Sequence, residues 1–112
     1  MKFFDDPELK KSIQSVNFGK VKVGTSEEKI IYILNDSDAI LTNLVYEFPS
    51  LPATEVLKIE GPVTIQPKKV GKLLLTWKPS ANFKKALKVD IDITGDEIYG
   101  DTMDILTEKV VE

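Results

Sequence analysis

Short apolar segments recur roughly every ten to twelve residues along this chain, and glycine, proline, asparagine or aspartate closes nearly every one. That punctuation leaves little room for long helices and favours a succession of strands. The clearest segment, Glu27 to Asn35 (EEKIIYILN), is rich in β-branched and aromatic residues, which suit a pleated, half-buried surface. It runs into Asn35-Asp36-Ser37-Asp38, whose short polar side chains bond nearby backbone groups and favour a turn. A strand from Ile40 to Phe48 follows, stopped by Pro49 and Pro52, which cannot donate to a ladder. Val56 to Ile59 reads as a short strand ending at Gly61-Pro62, and Val63-Thr64-Ile65 leads into a turn at Pro67-Lys68-Lys69. Gly71 to Trp77 and Ala86 to Thr94 form two strong strands, separated by Pro79-Ser80-Ala81-Asn82, with a turn at Gly95-Asp96 after the second.

Upstream, Ile13, Val16 and Phe18 lead into Gly19. Val21 and Val23 then alternate with Lys20 and Lys22 as far as Gly24, the period of two of a half-buried edge strand guarded by lysines. Asp6-Pro7-Glu8 has the order of a helix start, with Asp6 as N-cap and Pro7 at the first helical position, and predicts a turn or two of helix. The whole pattern predicts an all-β single domain, a β-sandwich of about seven to eight strands, although a small β-barrel gives similar local signals. Its expected parts are an N-terminal arm or short helix over 1–12, the sandwich over 13–96, and a C-terminal strand or docking tail over 97–112.

Composition narrows the chemistry. With no cysteine, neither disulfides nor thiolate chemistry contributes, and with no histidine the commonest general base and transition-metal ligand is missing. All 15 basic residues are lysines, so the planar fork that grips phosphates and guanine edges is absent, and the net charge of -3 argues against nucleic acid as a partner. No apolar run reaches the roughly 18 residues that span a bilayer, so a soluble protein without membrane insertion is expected. An enzyme would have to work with lysine, aspartate, glutamate and tyrosine alone. No catalytic residues and no cofactor are assigned.

The charge is unevenly spread. Lys58 to Lys88 holds eight lysines and one glutamate, whereas Asp90 to Glu112 holds eight acids and one lysine. Such blocks improve solubility or polarise a surface for steered docking. On the docking reading, Lys68, Lys69, Lys84 and Lys85 face an acidic partner, and Asp101, Asp104, Ile105 and Leu106 of the tail contact a partner protein or another copy of the chain.

The order of the motifs also carries a resemblance. Val16-Asn17-Phe18-Gly19-Lys20-Val21-Lys22-Val23-Gly24-Thr25 resembles the opening of Hydin-type immunoglobulin-like domains, within the wider major-sperm-protein and PapD-like group. The likeness continues through Ile30 to Asn35, Asp36 to Ala39, Ile65 to Lys68, Gly71 to Leu73 and Leu75 to Pro79, where those domains usually carry phenylalanine in place of Trp77. It implies an immunoglobulin-like sandwich, with Phe18 and Trp77 in the core and Gly19 and Gly24 at the kink where the first strand crosses between sheets. It also implies a non-enzymatic module for protein-protein contact within larger assemblies. Because such domains usually occur as repeats, a single copy suits a small building block, such as a bacteriophage virion component, placed in the cytoplasm or in the virion.

One alternative is a calcium- or carbohydrate-binding β-sandwich. Asp90, Asp92, Asp96 and Asp101 approach the spacing of a calcium loop, with Gly95 at the turn. The same residues read equally as a strand with one wet face, since Val89, Ile91 and Ile93 alternate with them.

Overall fold

The computed structural model describes residues 1–99. Nine strands make up its regular structure: β1 (Lys2–Phe4), β2 (Ser12–Ile13), β3 (Ser15–Gly19), β4 (Glu27–Leu34), β5 (Ala39–Glu47), β6 (Leu57–Glu60), β7 (Val70–Trp77), β8 (Leu87–Asp90) and β9 (Asp92–Tyr99). They form a sandwich. One layer is a five-stranded antiparallel sheet in the order β2-β1-β4-β7-β6, and the other holds the antiparallel ladders β3–β8 and β5–β9.

Alternation along each strand explains why the layers face each other. On β7, Leu73, Leu75 and Trp77 are buried while Lys72 is exposed and Leu74 and Thr76 are only partly covered; on β4 the inward positions are Ile31 and Ile33. Val16 and Phe18 of β3, Leu41 and Leu44 of β5, and Leu87 and Val89 of β8 meet them from the other side in one cluster. Trp77 lies at its centre, wholly buried, with Phe18 and Phe83 edge-on at ring-centroid distances of 5.7 and 5.5 Å.

Several local expectations change. Asp6 caps no helix: its carboxylate accepts the amides of Lys10 (3.1 Å) and Lys11 (2.8 Å), folding the chain back so that β2 pairs with β1. The N-terminal arm instead supplies a strand, with Phe4 in the core beside Tyr32 of β4.

Lys20 to Val23 is not an edge strand. Asn17 Oδ1 accepts the Gly19 amide at 2.9 Å as β3 ends, and the amide and hydroxyl of Thr25 both bond the Lys22 carbonyl, closing a turn over Gly24 at φ 89°. Nor do these glycines mark the crossing between sheets, which takes place upstream at Gln14, between β2 and β3.

The predicted strand from Ala86 to Thr94 is two strands. At Ile91 the chain changes partner: β8 pairs with β3 and β9 with β5, while the Ile91 amide reaches the Gln14 carbonyl and the Asp90 amide reaches Ser50 Oγ at 2.8 Å. Gly95-Asp96 is not a turn but lies within β9. It faces an irregularity in β5 where Asn43 takes φ 54°, and a Cβ on Gly95 would stand 2.8 Å from the Thr42 carbonyl oxygen, so the close approach requires glycine. Of the expected tail, Glu97 to Tyr99 completes β9, and the remainder lies outside the described residues.

Candidate interaction surfaces

Two buried polar side chains invite a functional reading, and both prove to be structural hubs. Asn35, at the end of β4, is fully buried. Its Nδ2 donates to the carbonyls of Ala39 (2.7 Å), Ile65 (3.0 Å) and Gln66 (3.2 Å), and its Oδ1 accepts from the amide and hydroxyl of Ser37. The Asn35 backbone bonds Lys68 and Lys69, so one residue fastens the β4–β5 turn to the segment entering β7.

Glu55 is 4% exposed. Trp77 Nε1 (3.1 Å) and the Ser80 amide (2.9 Å) donate to its Oε1, and the hydroxyls of Ser80 (2.7 Å) and Thr54 (2.9 Å) donate to its Oε2. Burial works against ionisation. The donors from Ser80, Thr54 and Trp77 outweigh it and hold the carboxyl below the usual glutamate range.

Stability owed to Glu55 is therefore complete above the glutamate pKa of the unfolded chain and is lost as pH falls through the lower folded value. Glu55→Gln is expected to flatten the acid limb of a plot of urea midpoint against pH. Asp6, lowered by the Lys11 amide, and Asp36, lowered by the N-terminal ammonium, keep part of the slope. Parallel acid limbs in the two proteins would show that the fold does not lower the Glu55 pKa.

Tyr46 is a third anchor. Its hydroxyl donates to the Pro62 carbonyl at 2.5 Å, and burial pushes the phenol up to about 12, so it stays protonated and pins the segment after β6.

The residues proposed for docking are distributed over the surface. Lys68 and Lys69 precede β7, and Lys68 is engaged there, donating to the Asp36 carbonyl at 2.6 Å with Asp38 3.7 Å away. Lys84 and Lys85 are exposed in the loop after β7, so the length of that strand, roughly 25 Å, separates the two pairs. They do not form one patch. Asp101, Asp104, Ile105 and Leu106 lie outside the described residues.

Asp90 and Asp92 flank the change of ladder at Ile91, and Asp96 donates nothing to a loop: its Oδ2 accepts Asn43 Nδ2 at 2.8 Å across the β5–β9 ladder. Among the described residues no three acidic side chains converge as metal ligands; Asp92 and Asp96 lie on β9 and not in a loop, and Asp101 lies outside the described residues.

Sequence reading missed two features. Glu55 sits in a plain Pro-Ala-Thr-Glu stretch, and the only signal pointing to it is that a buried tryptophan needs an acceptor for its N–H. The other is a cleft of about 450 Å³ between β3 and the first half of β4. Its signal is Pro7, which marks where β1 must stop beside a longer strand.

A two-layer antiparallel sandwich with a strand that changes sheet near its start defines an immunoglobulin-like domain. The chain belongs to the ASH family (abnormal spindle-like microcephaly-associated, ASPM-SPD-2-Hydin), whose model matches residues 8–100. No curated protein and no solved structure matches it.

Proposed function

We propose that this chain is a non-enzymatic protein-interaction module that works within a larger assembly. The observation that carries the reading is the family match over residues 8–100. It is supported by the use of the buried polar groups, since Asn35 and Glu55 spend their hydrogen-bonding capacity on the fold. Contact surface is available instead: Val45, Val56, Val63 and Tyr99 are large apolar side chains at least half exposed.

In this reading the acidic and apolar segment with Asp101, Asp104, Ile105 and Leu106 promotes self-association or partner docking. Lys68–Lys69 and Lys84–Lys85 serve as two separate basic contacts. Charge steering of this kind weakens with salt, because the Debye length falls from about 10 Å at 0.1 M to about 3 Å at 1 M. Sedimentation of the full chain and of a chain ending at Gly100 is the test. The full chain is expected to show the larger mass at low salt and to lose it at high salt, while truncation abolishes it throughout. Identical masses in all four conditions would remove the tail from the proposal.

A further inference from the structure

The five-stranded sheet contains an incomplete row. β4 pairs with β7 along its whole length, but on its other side only Tyr32, Ile33 and Leu34 meet β1. β1 leaves the β4 ladder after Phe4: the Asp5 amide still pairs on the β2 side with the Lys11 carbonyl at 3.2 Å, and the chain then turns back through Asp6 to Leu9, whose amide bonds the Asp6 carbonyl at 3.2 Å. Among the described residues, Glu27 to Ile31 thus have no ladder partner along that edge, and β3 has none opposite β8.

The cleft of about 450 Å³ lies between these two edges. Its lining includes buried Val16 and Ile31, while Ile30, 46% exposed, supplies an apolar grip on the open side. Asp5 and Glu28 bring exposed carboxylates to it, and the ammonium of Lys29 is 3.9 Å from Glu27. Two carboxylates of the lining therefore outnumber its one ammonium, which already has Glu27 outside the cleft as a partner.

We propose that this cleft takes an extended, basic and apolar segment of a partner protein as an added strand beside β4, antiparallel to it and in line with β1. The free edge of five residues is roughly 17 Å long, enough for a strand of ordinary length. Main-chain hydrogen bonds to β4 hold the segment, alternate apolar side chains settle over Val16 and Ile31, and its lysines or arginines meet Asp5 and Glu28. The chain's own C-terminal segment does not suit the cleft, since Asp101, Asp104, Glu108 and Glu112 outweigh Lys109.

The inference rests on the interaction-module reading. The experiment titrates the isotope-labelled full chain with a blocked octapeptide of alternating lysine and valine, and in parallel with its glutamate-valine counterpart. Saturable amide shifts in β3 and Glu28 to Ile31 are expected with the basic peptide, together with slowed hydrogen exchange along that half of β4. Asp5→Lys/Glu28→Lys, two exposed positions, is expected to weaken binding on the order of tenfold.

Absence of a saturable shift would mean that the charges merely guard the edge. Shifts elsewhere, equal affinity for the acidic peptide, or an unchanged affinity in the variant would each overturn the proposal. Concentration-dependent shifts at the same amides without peptide would assign the cleft to a second copy and overturn it too. Tail-dependent assembly that persists while peptide binding fails would sink the cleft alone.

Discussion

Trp77→Ala is expected to destabilise the domain by about 3–5 kcal/mol, a large part of the stability of most domains this size. The side chain is wholly buried between Phe18 and Phe83, so truncation opens a cavity that the two rings cannot fill without leaving their edge-on packing. It also takes a donor from the buried Glu55 carboxylate. Thermal melting followed by circular dichroism should show the midpoint falling by upwards of about 12 °C, or no cooperative transition at all. Trp77→Phe separates the two contributions. It keeps most of the ring volume and loses the bond to Glu55, and should cost roughly 1.5–3 kcal/mol. A native-like melting temperature in the alanine variant would show that the ring carries no core packing.

The second large effect belongs to Asn35. Asn35→Ala removes the donor that three carbonyls share and the acceptor for Ser37, leaving buried polar groups without partners at an expected cost of roughly 2–4 kcal/mol. Asn35→Asp makes a sharper test, because it keeps the shape but aims a carboxyl oxygen at the carbonyls of Ala39, Ile65 and Gln66. It should be at least as damaging at neutral pH, and hydrogen exchange should rise at the Leu41 and Ile65 amides, whose mutual bonds join the two segments that Asn35 fastens. An aspartate variant as stable as the natural chain would mean that the amide does not hold these loops together.

Much of the fold was legible because its signals are local. The period of two in Glu27–Leu34 and Val70–Trp77, and the prolines and Asn-Asp-Ser turns that end the strands, depend only on neighbouring residues. The motif order around Phe18 and Trp77 placed both in the core and suggested the family that the match over residues 8–100 shows. The lysines proposed for docking stand out in the sequence only as charge. That Lys68–Lys69 and Lys84–Lys85 stand at opposite ends of β7 depends on strand direction, which charge along a chain does not encode.

What the sequence by itself determined is the all-β class, the strand segments with a strong period, the burial of Trp77, and the residue types that leave histidine- and cysteine-based catalysis out of reach. Tertiary structure decided the rest, because partner choice is non-local. Asp6 looks like a helix cap until Lys10 and Lys11 turn back beside it, and Lys20 to Val23 looks like a strand with no neighbour to pair with. Ala86 to Thr94 reads as one run, yet its two halves find different ladders at Ile91. Glu55 acquires its role only because Trp77 and Ser80, 22 and 25 residues away, deliver their donors to it. The open half of β4 exists only because β1 is shorter than the strand beside it, a mismatch that arises once distant segments share a sheet and each backbone group must find its partner across space.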